Sequence, residues 1–434
     1  MNIEVQVWNE LDEKLKQRIL NRSENDILEV ISDVTGIVKD VKNRGDDALR
    51  EYSKKFDGVD IGKNGFKVND SEFRKAESNL SSEVKRALEF SIENIYTFHI
   101  HQKPFGMNMQ EVLPGILAGD RPKPIGSAGL YVPRGRGSFP SMLYMLAVPA
   151  KIAEVERICI ATPPDESGNV DPACLYAAHL CGIDEVYRIG GAHAVAALAF
   201  GTESLPSVEK IVGPGSAFVT AAKRILYGTV DVGLPAGPSE SIIIADDSAD
   251  PESCVLDLLT EAEHGSDSSA LLFSWDSRIA EETARLLPKK IEALPEPRRT
   301  FVSEVFSEYG GIYLVTDERE AVALTNRFAP EHLMIHTQDP FELLPKIQNA
   351  GEILLGSRTP FSAANYALGP NAVLPTGGKA RTYSPVSVRD FIKYSSVVHL
   401  TREGFERVRY KAAVLADYEG FPAHASALRD RKDA

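Results

Sequence analysis

The sequence predicts an α/β protein of two lobes with parallel sheets, plus small helical appendages at the N- and C-termini. Three observations predict it. At 434 residues the chain exceeds what one hydrophobic core ordinarily holds. From about Gly129, short β-branched runs alternate with Ala-rich stretches, the pattern of strand–helix–strand units on a parallel sheet. On either side of that region the chain is charged and helix-favouring.

In chain order, residues 1–25 read as an N-terminal helical segment, and the lead-in to residue 125 is rich in helix-favouring stretches. The clearest runs from Asp26 to Phe56, where Ile27, Val30, Ile31, Val34 and Val38 recur on one helix face. Strands are expected at Glu156–Ala161, Glu185–Ile189, Ser241–Ala245, Ala270–Ser274, Gly311–Val315, His332–His336 and Gly351–Leu355. Between the first of these lie helices bounded by Gly or Pro, Pro172–Cys181 and Ala192–Phe200. Charge returns after Arg381, and Tyr394 to Asp430 reads as a helical appendage. The expected division is 1–25; a discontinuous first lobe of 26–130 with 240–386; a second, 131–239; and an appendage, 387–434. Both lobes are expected to be Rossmann-like.

Composition narrows the function. Apolar residues make up 43% and charged residues 25%, an ordinary globular balance. A net charge of −14 repels phosphate backbones, so nucleic acid is not an expected partner and a small molecule is. No basic segment with an apolar core opens the chain and no apolar run of about 18 residues interrupts it, so a cytoplasmic protein without membrane contact is expected. The four cysteines, Cys159, Cys174, Cys181 and Cys254, lack C-x-x-C spacing and read as buried reduced thiols.

Gly-rich turns stand at Ile189-Gly190-Gly191-Ala192-His193, Val212-Gly213-Pro214-Gly215-Ser216-Ala217 and Pro133-Arg134-Gly135-Arg136-Gly137-Ser138. Each can bring backbone N–H groups and a helix N-terminus to a pyrophosphate, and each is equally an ordinary strand-to-helix junction. None completes G-x-G-x-x-G, because Pro140 and Phe218 occupy the last position in the two near matches. Chemistry-bearing groups lie elsewhere. Glu261 and His264 share one helix face at a spacing that can present an oxygen and a nitrogen to one metal. Glu331 and His332 adjoin at a loop-to-strand junction, where an imidazole can act as base and a carboxylate can activate water. The loop from Ala364 to Gly378 supplies amide oxygens, including Asn365, and Glu419 and His424 lie near the C-terminus.

Together these segments resemble the histidinol dehydrogenase family. Carrying the likeness are Gly129-Leu130-Tyr131-Val132-Pro133, Ile189 through Gly201, Lys210 through Val219, and Pro235-Ala236-Gly237-Pro238-Ser239-Glu240. Ala262-Glu263-His264-Gly265, Ala329-Pro330-Glu331-His332-Leu333, Val373-Leu374-Pro375-Thr376, the opening Asn43-Arg44-Gly45-Asp46 and the closing Glu419-Gly420…His424 complete it in order.

The resemblance implies two successive NAD-dependent oxidations of an amino alcohol through a bound aldehyde, as in histidine biosynthesis, with one zinc per subunit. It gives Glu331 as the water-activating acid and His332 as the base. Tyr131, His193 and Ser216 fall at positions that contact NAD. Substrate-contacting positions are Ser239, Glu261, His264, His332, Asn365, Glu419 and His424, and the zinc ligands are Glu261, His264, Asn365 and His424. A homodimer is implied, with His424 completing the partner's site. The chain departs from the family pattern at Glu261, usually Gln, and Asn365, usually Asp, two changes that cancel in charge. Ala372 replaces a usual His, and His193 and Ser216 replace a usual Gln and Asn. With Lys379, Arg381 and Arg389 near the pocket loop, these changes admit a paralogue acting on an anionic diol of the sulfopropanediol type, or an inactive nucleotide-binding relative.

Overall fold

A computed structural model of the chain describes residues 3–21, 27–61, 65–135 and 137–431; Asp26, Arg136 and the side chain of Ile27, all named above, lie outside the described residues. The strands are β1 (Val5–Val7), β2 (Asn108–Leu113), β3 (Ile116–Pro124), β4 (Ser127–Tyr131), β5 (Arg157–Thr162), β6 (Val186–Arg188), β7 (Lys210–Val212), β8 (Glu240–Ala245), β9 (Ser269–Ser274), β10 (Gly311–Leu314), β11 (His332–His336), β12 (Glu352–Leu355) and β13 (Ile392–Leu400). Two compact units result, Met1–Gln102 with Gly126–Phe391, and Lys103–Ile125 with Ile392–Ala434.

The first unit carries two parallel sheets, a six-stranded one in the order β1-β10-β9-β8-β11-β12 and a four-stranded one in the order β6-β5-β4-β7. This is the expected α/β architecture. The central strands β8, β9 and β11 of the larger sheet are buried on both faces, which is why they read as apolar runs rather than as alternation. Ile243, Leu272 and Ile312 pack on one face against the helices Pro251–Ala262 and Ser277–Glu292, whereas Ile242, Ile244, Leu271 and Phe273 pack on the other.

Three parts of the chain fold differently from expectation. The N-terminal segment is not a purely helical appendage, because Val5–Val7 pairs in parallel with β10 as an edge strand. Trp8 then seals that edge, its ring meeting Phe273 and Tyr313 edge-on at 5.7 and 5.3 Å. The helix Ile27–Arg44 belongs with the four-stranded sheet, not with the six-stranded lobe. Its stripe of Val34, Ile37, Val38 and Val41 packs in one cluster with Ala194, Ala197, Ala221 and Ala222, whose small side chains let the helices approach. The motif at Gly45-Asp46 fixes the attachment: Asp46 N–H donates to Glu203 at 2.9 Å, and Ser204 N–H donates back to Asp46 at 3.2 Å.

The second unit bears out helices in the C-terminal appendage but adds strands to it and to the lead-in read as helix-favouring. Residues 108–124 form a hairpin, and β13 adds to it antiparallel across its full length, from Ile392 opposite Pro124 to Leu400 opposite Ile116. Helices Arg402–Tyr418 and Pro422–Arg429 follow, held together by Arg409 donating to the Leu428 carbonyl at 2.9 Å and by the Asp417–Arg429 ion pair. No helix among the described residues is long and apolar enough to cross a membrane.

One glycine is set by close approach. Gly213 has φ +126°, and a Cβ there would lie 2.0 Å from the Tyr131 carbonyl oxygen. The buried Lys223 ammonium pins the same turn by donating to the Gly213 carbonyl at 2.5 Å. Gly213→Ala is expected to lower stability by on the order of 3 kcal/mol, combining backbone strain and overpacking, as read by denaturant unfolding. An unchanged midpoint would show that the turn relaxes freely.

Candidate active site

The site is built at the amino-terminal edge of the six-stranded sheet. The helix Pro251–Ala262 begins on Asp250, whose carboxylate accepts from Ser253 N–H at 2.9 Å, and it carries Glu261 in its last turn. One turn earlier, Asp257 accepts the Phe361 N–H at 3.1 Å, which tethers the short helix Phe361–Tyr366 and sets Asn365 opposite Glu261. Asn365 Nδ2 donates to Glu261 Oε1 at 2.8 Å. His264, just past the helix end and partly exposed, holds Nδ1 3.5 Å from the other oxygen, Oε2. Glu261, His264 and Asn365 are thus brought together.

Glu331 and His332 enter through a strained turn. The helix Glu318–Phe328 is closed by Ala329 in the left-handed region, φ +54°, a conformation costing a non-glycine residue about 1–2 kcal/mol. The chain then turns sharply into β11. Backbone bonds from Gly351 N–H to the Pro330 carbonyl and from Glu352 N–H to that of Glu331, both 2.9 Å, hold the turn. His332 pairs in register with Ser241 on one side and Glu352 on the other. Its Nδ1 lies 2.9 Å from Glu352 Oε2, and its Nε2 lies 3.9 Å from Glu261 Oε2. Glu331 Oε2 accepts the Glu240 N–H at 3.0 Å, while Glu240 Oε1 accepts the Gly377 N–H at 2.8 Å. Both adjacent side chains are therefore buried in one cluster.

Three buried carboxylates, Glu261, Glu331 and Glu352, act on this imidazole, with Glu240 beside Glu331, and their charges bear on the protonation states. Burial above all lifts Glu331 to about 8, with the charges of Glu261 and Glu240 adding and His332 opposing. For His332 burial disfavours the cation, but Glu261, the Glu352 hydrogen bond and Glu331 together outweigh it and push the group up to about 10. Burial likewise raises Glu261, yet His332, His264 and the Asn365 hydrogen bond prevail and hold its carboxyl below the usual range. Glu352 escaped sequence reasoning because it sits inside a run read as an apolar strand. A carboxylate opening an otherwise apolar strand was the available signal.

The Gly-rich turns follow β4, β6 and β7 of the smaller sheet. Tyr131 is buried at the end of β4, and its hydroxyl accepts the Gly191 N–H at 3.0 Å, at the first residue of the helix Gly191–Phe200. His193 is also buried, 3.8 Å from Asp57 and beside the rings of Tyr52 and Phe56; among the described residues neither ring nitrogen has a hydrogen-bond partner, and burial depresses it to about 3. Ser216 is exposed at the N-cap of Ala217–Leu226, with no capping bond from its side chain. Ser239 is half-buried just before β8. Arg381 is engaged by backbone, donating to the carbonyls of Gly378 and Arg327, while Lys379 and Arg389 are exposed.

Glu419 and His424 belong to the second unit, at the junction of its two helices, and both are exposed. The expected zinc ligands are therefore divided between units, and among the described residues no three of His, Cys, Asp and Glu are gathered to hold a metal. The donors present in the first unit nevertheless suit a cation. Among the described residues Glu261 Oε2 is buried without a hydrogen-bond partner and faces a histidine nitrogen, and the mixed oxygen and nitrogen set is one that zinc accepts. Thiol catalysis is not supported: all four cysteines are buried, and burial pushes each up to about 12.

The family model for histidinol dehydrogenase matches residues 20–432. The chain is 48% identical to a histidinol dehydrogenase of Synechocystis sp. over 416 residues, 96% of each chain. It is 45% identical to a histidinol dehydrogenase homolog of Colwellia psychrerythraea, covering 99% of this chain and 97% of that one. The crystal structure of histidinol dehydrogenase from Elizabethkingia anophelis superposes with a TM-score of 0.92 at 34% identity, over 99% of this chain and 97% of that one. Sequence, fold and the order of the motifs agree: the chain belongs to the histidinol dehydrogenase family.

Proposed function

We propose that the chain oxidises L-histidinol to L-histidine in two successive NAD-linked steps through a bound aldehyde, with zinc as its metal. The observation carrying this reading is the buried imidazole of His332, set between Glu352 and Glu261 with Glu331 adjoining. Glu261, His264 and Asn365 would hold the zinc ion, with His424 of the partner subunit; Tyr131, His193 and Ser216 would hold NAD. When bound, the metal favours ionisation of the substrate hydroxyl and the nicotinamide accepts hydride. His332 receives the hydroxyl proton at Nε2, the nitrogen not engaged by Glu352. In the second half of the reaction Glu331 takes a proton from the water that adds to the aldehyde carbon, a role its carboxylate can fill only when ionised. Ser239 and Glu419 fall at the positions that the family resemblance gives to the substrate.

The reading includes a homodimer. Tyr418 is 89% exposed and Leu415 62% exposed, and Tyr410 and Phe421 are exposed on the same pair of helices as Glu419 and His424. Apolar side chains gathered beside Glu419 and His424 support the reading that a second copy covers this surface. Deletion of residues 415–434 is expected to abolish both zinc retention and turnover, measured by metal analysis and NADH formation. Retention of both would remove His424 from the site.

The deciding experiment supplies L-histidinol, NAD and zinc and follows NADH, with two equivalents expected per histidinol consumed. No turnover on histidinol beside clear turnover on an anionic diol would reassign the substrate. A metal-free protein inert on both would be a nucleotide-binding relative.

A further inference from the structure

We propose that Glu352 is the positioning residue for the base: its carboxylate holds the Nδ1 proton and the ring of His332, so that Nε2 alone is presented for proton transfer. The inference rests on the function proposed above and extends it to a residue that no motif of the family resemblance includes.

Strand register creates the pair. Glu352 and His332 are each the first residue of a parallel strand, β12 and β11, and stand directly opposite one another. Both are buried, and Nδ1 and Oε2 are 2.9 Å apart. Among the described residues the second oxygen, Oε1, is buried with no hydrogen-bond partner, and the carboxylate's hydrogen bond there is to the imidazole. A carboxylate taken out of water at this cost is poorly explained as strand adhesive, because an apolar residue facing an apolar neighbour would join the strands without burying charge. The ring is confined on its remaining sides as well. Phe361 meets it edge-on, centroids 5.7 Å apart and planes at 65°, and Glu261 Oε2 stands 3.9 Å from Nε2. The carboxylates favour the charged ring, so it can serve as a base only where a cation held at Glu261 offsets that charge; with Nδ1–H donated to an anion, the neutral ring then carries its lone pair on Nε2, the form that a base on that side requires.

The test compares Glu352→Ala, Glu352→Gln and the parent enzyme, each loaded with zinc. Steady-state kinetics on L-histidinol, thermal unfolding and the ¹⁵N signals of His332, assigned through His332→Gln, are recorded for each. Glu352→Ala is expected to lower kcat by about 100-fold with KM within about threefold. Glu352→Gln keeps the shape and an acceptor oxygen but not the charge, and is expected to recover about tenfold of that loss. At a pH where the zinc-loaded ring is neutral, the parent ¹⁵N spectrum should show Nδ1 alone protonated, and in Glu352→Ala the two neutral tautomers should mix. The inference is overturned if Glu352→Ala keeps kcat within twofold, if kcat, KM and unfolding temperature deteriorate together in both variants, or if the tautomer is unchanged. Should the parent not turn over histidinol, the assignment of substrate fails by itself, and the ¹⁵N comparison still decides the role of Glu352.

Discussion

Replacing His332 with asparagine is expected to lower kcat by about 10²–10⁴-fold, the usual contribution of a positioned general base, while KM for histidinol changes far less. Asparagine is chosen because it can still donate to Glu352 and so leaves fewer buried carboxylate charges stranded than alanine would. An equal loss in kcat/KM carried entirely by KM would instead make His332 a binding residue. The neighbouring acid predicts a pH dependence. Glu331 is lifted to about 8, so the water-activating form is present above that value and is lost as pH falls through it. Stability runs the other way. An acid whose folded pKa is raised from 4.5 to about 8 favours the folded state below 4.5 and loses that contribution as pH rises through 8. Activity limited by aldehyde oxidation should therefore climb through about pH 8 over the range where the unfolding temperature declines. In Glu331→Gln the kinetic limb should vanish and the decline should flatten, and persistence of both would assign them to another group.

Much of this arrangement was legible in the sequence, and the omissions share a cause. The central strands of the larger sheet could be read because residues such as Ile242–Ile244 and Leu271–Phe273 are buried on both faces and leave an unbroken apolar signal. The hairpin at 108–124 and its partner β13 could not, since their exposed faces carry Lys, Arg and Ser among the Val and Leu residues, and their pairing joins segments nearly 280 residues apart. The helix Ile27–Arg44 announced its apolar stripe but not which lobe would bury it, because periodicity reports a face and not its partner. At the site, the motif residues Glu261, His264, Glu331 and His332 were all visible. Glu352 was not, because only the register of β11 on β12 turns an isolated glutamate into the partner of an imidazole.

The exchange of residue types at 261 and 365 should behave as a coupled pair rather than as two lesions. In the fold, Asn365 donates to Glu261 at 2.8 Å, so one amide and one carboxylate face each other in a buried site. Asn365→Asp alone opposes two carboxylates. At 4 Å and an effective dielectric constant of 20, like charges repel by about 4 kcal/mol, enough to force a proton onto one of them. Glu261→Gln alone keeps a donor and an acceptor but removes the anion that faces His264 and His332. Glu261→Gln with Asn365→Asp restores one of each, with donor and acceptor exchanged. In chelator-treated protein, Asn365→Asp is expected to lose about 2–4 kcal/mol of stability at neutral pH, a gap that closes as pH falls and the second carboxylate is neutralised. The double variant should return to within about 0.5 kcal/mol of the parent, giving a coupling energy of at least about 2 kcal/mol. Zinc retention should follow the same order, poor in each single variant and recovered in the double. Losses that simply add would mean that Glu261 and Asn365 act independently, and that the hydrogen bond between them does not set the geometry of the metal-binding face.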